Sequence, residues 1–197
     1  MAKTTTTPIA QLGRPRETEI DNKVLQATLE QLASMGYSRM SVDQIAKSAC
    51  TTKPAIYRRW ASKADLATAA LAWLQSDGIP QPTGDVRADL IALLQDFRTK
   101  LMRPNGMAMI GTLLVEEKHN PDLLKCFRER IVVPRRRGIE KILQEGQSNG
   151  QVSSDADIAT VTNLLVGAFY AQYLTGKPAA KDFHVRVVDL VLPALQP

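Results

Sequence analysis

The chain has 197 residues, 44% of them hydrophobic and 23% charged, with 11 glycines and 11 prolines. That mixture supplies enough apolar surface for a folded core and excludes bulk disorder, collagen-like repeats and low-complexity architecture, so a soluble globular protein is expected. The net charge is +5, from 25 Lys and Arg against 20 Asp and Glu, which admits a polyanionic partner without demanding one.

Cys50 and Cys126 lie far apart with no nearby histidine cluster. Neither a disulfide framework nor a metal site has the ligands it needs, and a reducing, cytoplasmic setting is expected. No stretch is apolar for long enough to span a bilayer, so no membrane partner is expected. Strand signals are nearly absent, and helical periodicity recurs from segment to segment. The fold class that follows is all-α.

Residues 1–16 are Thr-rich and broken by Pro8, Gly13 and Pro15, the composition of a flexible arm with basic residues at its end. Apolar positions Ile20, Val24, Leu25, Leu29 and Leu32 form one stripe over 17–35, and Gly36 is placed to stop that helix. Ser41 with Gln44 three residues on marks the start of a short second helix, 42–48, and Thr52 with Pro54 behind it starts a third, to about residue 60. Ser62 with Asp65 opens a fourth, ending before the Gly78–Pro82 stretch.

Beyond it, Val86, Leu90, Leu94, Phe97 and Leu101 recur at helical spacing. Residues 107–118 are apolar around most of the circumference, as in a helix enclosed by others, and Pro121 and Pro134 each open a further helix. Ser154 with Asp157 is the expected cap of a helix over 155–174, which is apolar on two sides: Ile158, Val161, Leu165 and Phe169 on one, Val166, Tyr170 and Leu174 on the other. A last helix, 182–191, is expected to pack Phe183, Val187 and Leu190. The domain reading is an arm (1–16), a tri-helical unit (17–66) and a larger helical unit (67–197).

Charge is not spread evenly over these parts. Residues 39–63 hold six basic side chains, Arg39, Lys47, Lys53, Arg58, Arg59 and Lys63, against the single acid Asp43. Two short helices joined by a three-to-four-residue turn inside such a basic segment have helix-turn-helix geometry, which lays the second helix in the major groove of DNA. Thr52, Lys53, Ala55, Tyr57 and Arg58 fall near its exposed side, Ile56 and Trp60 turn to the core, and Lys63 and Ser41 are placed to grip phosphates.

These residues carry a resemblance. Gly36-Tyr37, Ser41-Val42, Ile45-Ala46, the run Lys53-Pro54-Ala55-Ile56-Tyr57-Arg58-Arg59-Trp60 and Ser62-Lys63-Ala64-Asp65-Leu66 together resemble the TetR family of bacterial transcriptional repressors. The resemblance implies that the segment from Thr52 to Arg58, Pro54 included, reads bases or phosphates. It also implies that Tyr57 and Lys63 touch the backbone and that Arg14 and Arg16, in a Gly-Arg-Pro-Arg arm, reach the minor groove. One departure is Cys50, at a turn position usually filled by glycine. The carboxy-terminal part resembles the family only in helical layout.

The expected function is therefore a cytoplasmic, homodimeric DNA-binding repressor, released from a palindromic operator on double-stranded DNA by a small, mostly apolar effector. Phe97, Met102, Met107, Met109, Phe127 and Tyr170 are the residues expected to line an effector pocket. The dimer interface is expected at Ile139, Leu143, Leu165, Val166, Gly167, Phe169, Tyr170 and Ala171, on the helices 134–148 and 155–174. No cofactor is called for. The Glu116-x-x-His119 spacing lacks a second half-site, and no phosphate loop or nucleophile elbow occurs. An architectural DNA-binding protein without effector is the second reading, and a small helical enzyme the third.

Overall fold

The computed structural model describes residues 14–75, 80–103 and 106–196, with side chains except at 14–17 and 108. Among them every regular element is helical: α1 (Arg14–Arg39), α2 (Val42–Ser48), α3 (Lys53–Tyr57), α4 (Lys63–Leu74), α5 (Val86–Leu101), α6 (Gly106–Val115), α7 (Pro121–Phe127), α8 (Val133–Ser148), α9 (Ile158–Leu174) and α10 (Phe183–Val191). The all-α expectation holds. Two compact units result, Met1–Ala70 and Leu71–Pro197, so the division falls inside α4 and not at residue 66.

In the first unit, α1 starts at Arg14, which puts residues 14–16 of the expected arm in helical backbone. Pro15 fits there because the first turn's N–H groups have no intrahelical acceptor. Residues 1–13 of the arm lie outside the described residues. At Gly36 the chain leaves the helix with φ 75° and ψ 172°, a conformation confined to glycine. A Cβ at Gly36 would meet nothing within 4 Å, so the requirement is conformational and not steric packing.

Side-chain caps then set the next three helices. Ser41 Oγ accepts from the Gln44 N–H at 3.4 Å, Thr52 Oγ1 from Ala55 at 3.3 Å, and Ser62 Oγ from Asp65 at 3.0 Å. Asp65 returns the favour by accepting from the Ala61 N–H at 2.9 Å. Val24, Ile45, Ile56, Leu66 and Trp60 close the core beneath these caps.

The second unit packs α5, α8, α9 and α10 around Leu90, Leu94, Leu143, Leu165, Phe169 and Val188. Contact is close at Gly146, where a Cβ would stand 2.7 Å from Val86 Cγ2 and 2.8 Å from Val152 Cγ2. Pro134 falls in the first turn of α8, which opens at Val133. A π-helical segment, Arg128–Val132, joins α7 to α8, and its wider turn carries the chain past the missing proline N–H. The cap of α9 is Asp157, which accepts from Ala159 and Thr160, and not Ser154. Contrary to expectation, α6 is not enclosed: Leu114 and Val115 are exposed, and Leu113 is buried. Leu190 is also exposed, the inward positions of α10 being His184, Val187 and Val188.

His184 is buried, and among the described residues its Nδ1 has no hydrogen-bond partner. Burial, helped by the Arg98 guanidinium and opposed by Asp182, holds its pKa below the usual 6.5. A base with a depressed folded-state pKa binds fewer protons folded than unfolded, so stability is fully present above 6.5 and declines as pH falls from 6.5 toward the folded value. Chemical denaturation at pH 7.5 and 5.5 is expected to show this decline, and His184→Leu is expected to reduce it.

Candidate nucleic-acid interface

Four residues, 49–52, separate α2 from α3. Cys50 takes φ 51°, the left-handed conformation that its position demands. The turn is closed by the Cys50 N–H donating to Lys47 O at 3.2 Å and the Thr51 N–H to Ala46 O at 2.9 Å. An L-residue with a Cβ is strained there by about 1 kcal/mol. Cys50→Gly is therefore expected to stabilise the first unit by up to about 1 kcal/mol, read as a higher denaturation midpoint, with the turn unchanged.

Ile56 and Trp60 are buried and fix α3 by its inner side. Thr52, Lys53, Pro54, Tyr57 and Arg58 are exposed, and Ala55 is half-buried between them. All six come together because five of them belong to one short helix or its cap and Arg58 follows directly. Lys53 Nζ donates to Asp43 Oδ2 at 2.9 Å, and that bond raises its pKa. Both partners are exposed, so water screens the pair and it holds Lys53 only weakly.

The other basic residues differ in what holds them. Arg59 turns inward, 2.6 Å from Asp21 Oδ1 and donating to Ala55 O at 3.2 Å. Lys63 donates to Ser38 O at 3.2 Å and lies 4.7 Å from the centre of the Tyr37 ring, which anchors its ammonium near the start of α4. The Ser41 N–H donates to Gln31 Oε1 at 2.8 Å while its hydroxyl caps α2. Arg39 and Lys47 are exposed. The charge count reaches them, but their place outside α3 hides them from motif reasoning. Backbone of Arg14 and Arg16 opens α1; their side chains are outside the described residues.

A second candidate site is a cavity of about 300 Å³ inside the carboxy-terminal unit. Phe97, Phe127 and Tyr170 line it, as expected, together with Leu93, Ile110 and Val166. Met102, Met107 and Met109 do not: Met102 is exposed at the end of α5, Met107 packs on the core, and α6 presents Gly106 and Ile110 to the space. Nor is the wall nearly free of charge. Asp96, Lys100, Arg130, Arg135 and Arg136 all contribute to it, because α5 and the start of α8 turn their mixed faces inward.

The residues expected at a dimer interface divide three ways. Ile139, Leu143, Leu165 and Phe169 are buried in the chain's own core and are unavailable to a partner. Val166 and Tyr170 face the cavity. Gly167 and Ala171 are exposed, on a stripe with Leu164 and Leu174. Sequence periodicity does not separate these sides of α9, since all three are apolar.

Among the described residues, no helix is long and apolar enough to cross a membrane, and no three His, Cys, Asp or Glu side chains gather as a metal ion would require. Residues 24–70 match the family described as bacterial regulatory proteins, tetR family, and residues 80–191 match the tetracyclin repressor-like C-terminal domain. The chain is similar to the HTH-type transcriptional regulator Rv1556 of Mycobacterium tuberculosis, 34% identical, covering 92% of this chain and 88% of that protein. It is also similar to the DNA-binding transcriptional repressor TetR of Mycobacteroides abscessus, 28% identical over 87% of this chain and 91% of that one. Among solved structures, the TetR family transcription regulator SCO0332 superposes with a TM-score of 0.72 at 28% identity, over 91% of this chain and all of that one. With a capped helix-turn-helix in a basic segment and both parts of the chain matched, this protein belongs to the TetR family of DNA-binding transcriptional regulators, a family of regulators and not of enzymes.

Proposed function

We propose that the protein is a homodimeric repressor that holds a palindromic operator and is released from it by a small molecule in the carboxy-terminal cavity. The observation that carries the DNA half is the exposed face of α3, where Thr52, Lys53, Tyr57 and Arg58 stand clear on a helix fixed by Ile56 and Trp60. In this reading Thr52, Lys53, Pro54, Ala55, Tyr57 and Arg58 meet base edges and phosphates. Ser41 and Lys63 hold phosphates, and Arg14 and Arg16 follow the minor groove. The similar protein of Mycobacteroides abscessus is a repressor, which supports repression over activation.

Two-fold symmetry places the two copies of α3 about 34–36 Å apart, or a multiple of that, on a pseudo-palindromic site. The exposed stripe of α9, from Leu164 through Gly167 and Ala171 to Leu174, is the surface that supports pairing. Ligand coupling is supported by the course of one helix. Lys63 begins α4, and Ala72 in its last turn and Gln75 just beyond line the cavity. A ligand preferring one position of that helix end would shift the population toward it.

Selection of bound sequences from random DNA, followed by footprinting, tests the proposal. A discrete protected palindrome whose occupancy drops with ligand is the expected result. Weak protection without sequence preference would favour an effector-independent architectural protein instead.

A further inference from the structure

The carboxy-terminal cavity has an electrostatic asymmetry. Lys100 is buried, and its Nζ donates to Asp96 at 2.8 Å, so these two charges neutralise one another. Arg136 is tied at 2.7 Å to Asn163 Oδ1 and lies 3.6 Å from Glu140. Arg130 is exposed at the edge. Arg135 differs from all three. Its guanidinium is half-buried, lies 5.5 Å from the centre of the Phe97 ring and, among the described residues, makes no hydrogen bond or close ion pair.

A guanidinium keeps its charge in a protein, and desolvating it without a partner is costly. Burial pulls the Arg135 pKa down despite the Asp96 carboxylate and the Tyr170 phenol. Asp96 is already held by Lys100, which among the described residues leaves the inner wall with one cation more than its carboxylates balance. Two neutral polar groups border the same space. The Tyr170 phenol, its pKa raised by burial, stands as a donor, and among the described residues the buried Gln75 Oε1 has no hydrogen-bond partner. The remaining wall, including Leu93, Phe97, Ile110, Phe127 and Val166, is apolar.

We propose that the cavity takes a compact amphipathic carboxylate, its anionic group paired with Arg135 and its apolar body lying against Leu93, Phe97, Phe127 and Val166. This rests on the effector-site reading above and narrows the mostly apolar ligand expected there to an organic acid. A carboxylate accepts two parallel N–H bonds from a guanidinium, and the pairing is strongest where water is excluded. The cavity lies at the lower end of ligand-site sizes, which suits an aryl or medium-chain acid better than a bulky polyanion.

Calorimetric titration of the full chain with 2-naphthoate, 2-naphthamide and 2-naphthylmethylamine, and with decanoate and decanamide, tests this. The acids are expected to bind at least about tenfold more tightly than the matched amides, a difference of about 1.4 kcal/mol, with the amine weakest. Arg135→Gln is expected to erase the acid preference while leaving amide binding in place, and Arg135→Lys to retain part of it. Circular dichroism on each variant reports the fold. Equal affinity of acid and amide in the unaltered protein, or an acid preference that survives Arg135→Gln, would overturn the proposal. Ile110→Trp, which fills the cavity, separates the two levels: if it abolishes binding of acids and amides that bind equally, the effector site stands and the carboxylate inference falls. If acids bind undiminished to Ile110→Trp, or no compound binds at all, both fall.

Discussion

Replacing Leu164 and Leu174 together by glutamate is expected to leave a folded monomer whose affinity for a two-half-site operator is lower by about 10²–10⁴-fold. Both leucines are exposed, at 57% and 81%, so charging them removes nothing from the core of the chain. With Gly167 and Ala171 they recur at intervals of three, four and three residues, which puts all four on one line along α9. Small residues between two leucines let a second helix come close, and the leucines then close over the contact. Four carboxylates gathered at a two-fold axis oppose that contact by charge and by desolvation. Once the dimer is lost, each reading helix binds its half-site alone, and the gain from linking the two events disappears. Sedimentation equilibrium at micromolar concentration and operator titration check the two parts separately. A dimer that persists in this variant would move the interface to another face.

The opposite outcome is expected at Phe169, five residues along the same helix from Leu164 but on its buried side. Phe169→Ala is expected to cost about 3–5 kcal/mol of stability, with little change in subunit association beyond what unfolding causes. The ring is fully enclosed and meets two others edge to face, Phe97 at 5.4 Å and Phe183 at 5.3 Å between centroids. Truncation removes both aromatic contacts and leaves a void between α5, α9 and α10 that close packing cannot fill. Phe97 is also a wall of the cavity and the surface under Arg135, so ligand affinity is expected to fall with stability. Denaturant unfolding followed by circular dichroism measures the first effect, and calorimetric titration of the folded variant the second.

The reading unit was legible because its determinants are local. Ser41, Thr52 and Ser62 each satisfy a helix start from within three residues, and Gly36 and Cys50 each set a turn through their own φ. Such interactions span less than one helical turn, so residue type and spacing announce them. Even Asp157, displaced as a cap from Ser154, is an error of three residues within a correct element. Pro134 marks the start of α8, while the π-helical turn that joins α8 to α7 is invisible to a 3.6-residue period.

The carboxy-terminal site was less legible. Sequence placed Phe97, Phe127 and Tyr170 at the cavity but also three methionines that lie elsewhere, and it did not place Lys100, Asp96 or Arg135 there. Flexible apolar residues serve equally as core, cavity wall or surface, and a charge on an amphipathic helix reads as solvated until a neighbouring helix covers it. By itself, then, the sequence determined the helices, their caps, the helix-turn-helix and its concentrated charge, all consequences of short-range hydrogen bonding and backbone conformation. Only the tertiary structure decided which side of α9 is core, which is cavity and which is free surface, and that Arg135 is half-buried over the Phe97 ring with no hydrogen bond or close ion pair among the described residues. Those outcomes depend on contacts between segments as far apart as α5 and α9, which no local pattern encodes.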